Sequence, residues 1–227
     1  MQAITDIPFE PDAGSLMKTV HVEPNTQDAG EFEDLLKTAA AVGSPKALYR
    51  ECFIDARGDD TVRINGITFT SRALRMNLDK VERVFPFVAT CGTELDQVTL
   101  PATDFLKQFW LDAIKAAALA TATKHLNEHL ARRFRLGKTI CMSPGSGDVD
   151  VWPIQQQRDL FALAGDVKGL IGVELTESFL MIPNKTVSGI RFPSEVDFRT
   201  CQLCHRDNCP GRSAPFDKNL WESVQHE

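Results

Sequence analysis

From Arg83 to Thr90 the chain reads RVFPFVAT, with apolar residues at nearly every position, and Cys91-Gly92 follow. A short apolar run that ends at glycine predicts a strand buried on both faces. Upstream, TVRINGITFTS places two β-rich halves around Asn65-Gly66, the favoured pair for a two-residue hairpin turn. EFEDLLKTAAAV carries Phe32, Leu35, Leu36 and Ala39 at helical spacing, with Gly43 as the stop. LMKTVHVEP, residues 16–24, alternates loosely and predicts a strand, and ALYRECFID predicts a second helix. Thr103 to Arg135 is alanine-rich and predicts one long helix, or two in line. Arg132, Arg133 and Arg135 suit its C-terminal dipole, and Gly137 closes it.

Beyond it, TICMSPGSGDVDVWPIQQQRDLFALAG predicts a short strand, a Pro-Gly-Ser-Gly loop and a helix opened by Pro153. VELTESFLMIPNKTVSGIRF predicts two strands around a Pro-Asn turn. Helices and strands are mixed without regular alternation, which favours an α+β fold over a doubly wound sheet. Periodicity fades after about residue 198. The expected organisation is an α+β domain over residues 1–198, with a mixed or antiparallel sheet and a long helix. An irregular cysteine-rich tail follows over 199–227.

Composition narrows the classes. The 227 residues are 43% hydrophobic and 25% charged, with a net charge of −6, and the sequence pI is about 5.4. That balance lacks the basic face a nucleic-acid partner needs. No apolar run approaches the roughly 20 residues that span a bilayer. MQAITDIPFEPD has neither a basic nor an apolar segment of a signal peptide, so the expected location is cytoplasmic. Thiols stay reduced there, and a tight cysteine cluster points to a metal rather than to disulfides.

Two stretches carry a family likeness. LTESFLMIPNKTVSG (Leu175 to Gly189) and SPGSGDVDVWPIQQQ (Ser143 to Gln157) resemble the activation domain of cobalamin-dependent methionine synthase. The long helix ahead of the loop matches as well. The resemblance implies a stand-alone, activation-domain-like protein that docks on a corrinoid protein or on cobalamin-dependent methionine synthase. Its role would be reductive remethylation of cobalamin carried by that partner, with an electron donor and S-adenosylmethionine. Carried over, Ser143, Pro144, Gly145, Ser146 and Glu177 become candidate cofactor-binding residues. Where the family has an arginine three residues before the proline, this chain has Cys141. Where the family has tyrosine after Pro-Gly, it has Ser146. A glutamate of the family's helix falls near Ala120, and the chain's single tyrosine is Tyr49. These departures remove charge-assisted and aromatic contacts, so S-adenosylmethionine binding is expected to be weak.

The tail reads CQLCHRDNCPGRSAPFD. Cys201, Cys204 and Cys209 supply three thiolates, and a closed zinc site or a [4Fe-4S] cluster wants four ligands. His205 is awkwardly placed as the fourth. Cys141 is the candidate outside the tail, giving a metal set of Cys201, Cys204, Cys209 and Cys141, with [4Fe-4S] ahead of zinc. The alternative function is therefore an iron–sulfur or zinc-binding redox adaptor that uses the fold only for docking. Cys52 and Cys91 read as core residues. His125 and His129, four apart, read as a solvated helix face, and Arg212 as a surface charge.

Overall fold

The structure is a computed structural model and describes residues 1–148 and 150–225. Val149, inside the Pro-Gly loop, and His226 and Glu227, ending the tail, lie outside the described residues. In chain order the strands are β1 (Gln2–Ile4), β2 (Lys46–Tyr49), β3 (Cys52–Arg57), β4 (Thr61–Ile64), β5 (Ile67–Thr70), β6 (Arg83–Thr90), β7 (Thr139–Met142), β8 (Glu174–Leu175), β9 (Met181–Ile182) and β10 (Thr186–Pro193). The α-helices are α1 (Ala13–Thr19), α2 (Gln27–Val42), α3 (Arg72–Asn77), α4 (Phe105–Phe134), α5 (Gln157–Ala164), α6 (Val167–Ile171) and α7 (Lys218–Gln225).

The apolar run RVFPFVAT is the central strand. On one side β6 pairs with β10, and on the other with β2 and then β3, all antiparallel. Pro86 sits in mid-strand, where a missing N–H would normally break the ladder. Its carbonyl accepts from Arg50 N at 3.0 Å, so its nitrogen faces the same side. That side is the Arg50–Glu51 gap where β2 hands over to β3, and the lost donor falls there. β10 goes on to pair with β7, which has no second neighbour among the described residues.

Alternation along β6 sorts the core into two layers. Phe85, Phe87 and Ala89 pack with Ala122, Leu126 and Leu130 of α4. On the other face Val84 joins Trp152, Leu160 and Leu163, while Val88 joins Ala164, Val167 and Ile171. Burial of each large side chain contributes about 1.5–3 kcal/mol relative to exposure. The alanines at 118 and 122 are fully buried and let α4 lie close to the sheet. α4 is one helix, about 45 Å long at 1.5 Å per residue. It ends on Arg135 in the left-handed conformation, two residues before the expected glycine stop.

Three local expectations are corrected. Residues 13–19 form α1, because the Asp12 carboxylate caps Ser15 N at 2.7 Å, and the loose alternation of 16–24 is the edge of a short amphipathic helix. ALYRECFID forms β2 and β3; Ala47, Leu48, Tyr49, Cys52 and Ile54 are all buried, so the run reflects a sheet covered on both faces. β9 pairs with β8 in a separate ribbon and not with β10 across the Pro-Asn turn. The hairpin, by contrast, is as expected: Asn65 and Gly66 take φ 44 and 84 between β4 and β5. Among the described residues no helix is long and apolar enough to cross a membrane.

The segment after residue 198 packs onto the domain. Leu203 and Val224 are buried in the cluster that holds Trp152, Ile190 and Phe192, with Leu220 and Trp221 against it.

Candidate functional site

The Pro-Gly loop leaves β7 and runs beside β10. Two features fix it there. Ser143 Oγ donates to Ser188 O at 2.6 Å, and Gly145 N donates to Trp152 O at 2.8 Å. Gly145 takes φ 76, a left-handed conformation that favours glycine. Gly189 is required for a different reason. A Cβ there would lie 2.6 Å from Met142 O, 2.7 Å from Ser143 Oγ and 2.9 Å from Cys141 Sγ. The Val-Ser-Gly motif thus lets β10 approach β7 and the loop at closer than side-chain distance.

The loop divides two concavities. The first, about 550 Å³, lies between the loop, α5 and the β8–β9 ribbon, with Ser143, Pro144, Gln157, Thr176 and Phe179 in its wall. Gln157 is buried, and its amide nitrogen donates to Ser188 Oγ. Its Oε1 has no hydrogen-bond partner among the described residues. The second, about 430 Å³, lies along the free edge of β7 and is closed by the tail. Thr139, Cys141 and Ser146 form one wall and Arg199, Thr200 and Cys201 the other. An edge strand exposes unpaired backbone groups, which makes this cavity polar.

The candidate cofactor residues therefore divide. Ser143 and Pro144 line the neutral groove and Ser146 lines the polar cavity. Gly145 shapes the loop between them. Glu177 is exposed and lines neither, although its neighbour Thr176 lines the groove. Lys185, its expected partner, pairs instead with Asp112 at 2.8 Å.

The tail is held by an arginine. The Arg212 guanidinium donates to the carbonyls of Cys201 (3.2 Å), Ala214 (3.1 Å), Cys204 (3.0 Å) and Arg206 (2.5 Å). The residue read as a surface charge is the hub of the cysteine loop, because five donors in a planar fork can gather several carbonyls at once. His205 does not point into the loop either. Its Nδ1 bonds Asp148 Oδ2, and its ring packs against Phe216 and Trp221, with centroids 4.2 and 4.6 Å away.

Cys201 and Cys141 share the polar cavity, yet among the described residues no group of three or more His, Cys, Asp or Glu side chains is placed to hold a metal ion. The expected set of Cys201, Cys204, Cys209 and Cys141 is not assembled in this arrangement, so no step is derived through a metal. The thiols differ sharply. Hydrogen bonds from the Ser213 hydroxyl and N–H hold Cys201 below the ordinary thiol value. Burial pushes Cys141 up, against the pull of Arg191. Burial also pushes Cys52 and Cys91 up to about 11, as core residues. His129, read as solvated, stands 3.0 Å from the Tyr49 hydroxyl. Its pKa is lowered first by desolvation and then by Arg133 and Arg132.

Gln157 carries a signal in the sequence. It lies three residues before Leu160 on the face of α5 that also buries Leu163 and Ala164, a polar side chain at an apolar position. Arg212 had none, because its partners are backbone carbonyls of an aperiodic segment.

No family model matches the sequence, and no curated protein matches it. Among solved structures the chain is similar to a crystal structure of the MetH reactivation domain bound to AdoHcy. The TM-score is 0.53 at 17% identity, covering 84% of this chain and 70% of that one. The α+β architecture, with its antiparallel sheet and long helix, is that of this domain. At this identity the likeness is one of fold.

Proposed function

We propose that the chain is an accessory protein that docks on a corrinoid protein and supports the reductive return of its cobalt to the methylated state. The observation that carries this reading is the placement of the two family-like stretches within a reactivation-domain fold. Ser143 and Pro144 of one, and Thr176, Phe179, Met181 and Ser188 of the other, stand in the wall of a single groove. The partner's cobalamin would supply a cobalt that takes one electron from a low-potential donor and then the methyl group of a sulfonium, whose sulfur leaves as the neutral thioether.

The residues of this chain have two tasks in that reading. The loop and the β8–β9 ribbon present a neutral surface to the corrinoid, and Gly189 keeps that surface rigid by letting β10 pack directly on β7 and the loop. The cavity beneath the tail holds the sulfonium donor through Ser146, Arg199 and Thr200. It is lined by Ser146, Thr200, Ser213, Asp197 and Arg199, with cysteine at 141 where the resemblance implies arginine, a weaker set for a carboxylate-bearing donor than the one the resemblance implies.

The test is a remethylation assay. A corrinoid protein in the Co(II) state is given a low-potential reductant and S-adenosylmethionine, with and without the chain. Faster appearance of methylcobalamin with the chain supports the reading, and an unchanged rate counts against it.

A further inference from the structure

Between Phe109 and Thr123 every charged or hydroxyl side chain of α4 is engaged within the protein. Asp112 is tied to Lys185 at 2.8 Å and Lys115 to Asp96 at 2.6 Å. The Thr121 and Thr123 hydroxyls donate back to the helix, to Ala117 O at 3.0 Å and Leu119 O at 2.9 Å. The other residues of the stretch are aromatic, aliphatic or alanine. A helix that is apolar all round is normally covered all round. α4 is covered on two sides. The sheet takes Ala122, Leu126 and Leu130, and the cluster built on α2 takes Trp110, Leu111 and Ile114. The remaining side is open: Phe105 is 76% and Phe109 53% accessible, and Ala116 and Ala120 are exposed beyond them. Clustered apolar exposure of this kind marks a contact surface.

The spacing says what shape of partner fits. Leu106, Phe109, Ala113, Ala116, Ala120 and Thr123 recur at alternating intervals of three and four residues, which makes one stripe along the helix. A stripe with this repeat is matched by a second helix packed nearly along the first. The stripe is also graded in size. Rings and a leucine fill its N-terminal end, and nothing larger than threonine stands on it from Ala113 onward. The occupant must therefore be slim where α4 is bulky and bulky where α4 is slim. α4 itself, turned end for end, meets that requirement.

We infer that this stripe receives a second copy of the chain, with the two α4 helices antiparallel. The Phe105–Phe109 end of each copy then lies over Ala120 and Thr123 of the other, and alanine meets alanine near the two-fold axis. A parallel pair would stack the rings on one another and hold the alanines apart. The antiparallel contact is the same patch on both copies, so it closes at a dimer. It runs about 27 Å along the helix, at 1.5 Å per residue. One helix pair buries less than the roughly 1,200–2,000 Å² of a standard interface, so the dimer is a reversible one.

Sedimentation equilibrium of the reduced chain, from about 5 µM to 1 mM, brackets the dissociation expected of so small a contact. The expected result is a reversible monomer–dimer equilibrium. Phe109→Glu and Ala116→Glu, both at exposed positions, should each weaken it at least about ten-fold, with the helical circular dichroism unchanged. Phe53→Glu, at an exposed apolar position of β3, should leave it as it is. Benzoylphenylalanine in place of Phe109 should cross-link to residues 120–127 of the second copy, read by mass spectrometry. A chain that stays monomeric across this range, whether or not another protein binds the stripe, would overturn the pairing. Glutamate variants that pair as well as the parent, or a cross-link to any other segment, would overturn it too.

Discussion

Asp148, in the loop after β7, and His205, in the cysteine-rich tail, are joined by a hydrogen bond that spans 57 residues of sequence. With Phe216 and Trp221 packed against the same imidazole, the pair fastens the tail over the free edge of β7. Asp148→Asn should cost about 0.2–1 kcal/mol, since both side chains are partly solvated. His205→Ala also removes the ring contacts, each worth about 0.5–1.5 kcal/mol, and should cost more. Trp221 fluorescence during urea unfolding measures both. Equal, negligible effects would mean that the tail is held by other contacts.

Arg212 gives the second prediction. Its guanidinium is the shared donor for four loop carbonyls, so Arg212→Ala should raise proteolysis within residues 201–214 while leaving the melting of the sheet nearly unchanged. Lysine should not rescue, because a single ammonium cannot reproduce the planar fork. Cys204→Ser and Cys209→Ser should leave the loop ordered. Anaerobically purified protein with broad visible absorption that is lost in Cys141→Ser would show instead that the four thiolates gather around a metal.

Stability should fall on acidification through His129. Its pKa in the folded state is lowered from 6.5, with desolvation the largest cause. The unfolded chain therefore takes up the proton first, and stability is lost as the pH falls below that value. Thermal melts between pH 7.5 and 5.5 should show the loss, and His129→Gln should flatten it. An unchanged slope in the variant would assign the effect to another group.

S-adenosylmethionine should bind the isolated chain weakly. A missing charged hydrogen bond alone is worth about 1.5–3 kcal/mol, or roughly ten- to hundred-fold in affinity. Arg199 stands on the far wall of the polar cavity and does not occupy the position of Cys141. Titration calorimetry should show dissociation weaker than micromolar, and tighter binding would mean that the tail supplies the lost contacts.

The elements legible in the sequence were those with one strong local signal. The Asn65-Gly66 turn, the unbroken apolar run of β6 and the alanine-rich stretch of α4 each state their conformation without tertiary help. β2 and β3 resemble a helix in the sequence because burial on both faces erases the alternation that marks a strand. The site was legible in part. Ser143 and Pro144 were found through motif, whereas Gln157 and Phe179 acquire their meaning from neighbours distant in sequence. In the tail only the cysteines were legible: the arginine that organises them bonds to backbone carbonyls, which leave no pattern in the sequence.

The most direct measurement of the central claim is capture of a corrinoid protein by the tagged chain, read by the cobalamin spectrum of the captured fraction. The expected result is cobalamin recovered together with a protein that carries it, and weaker retention of free cobalamin. A captured fraction free of corrinoid under both oxidising and reducing conditions would contradict the claim.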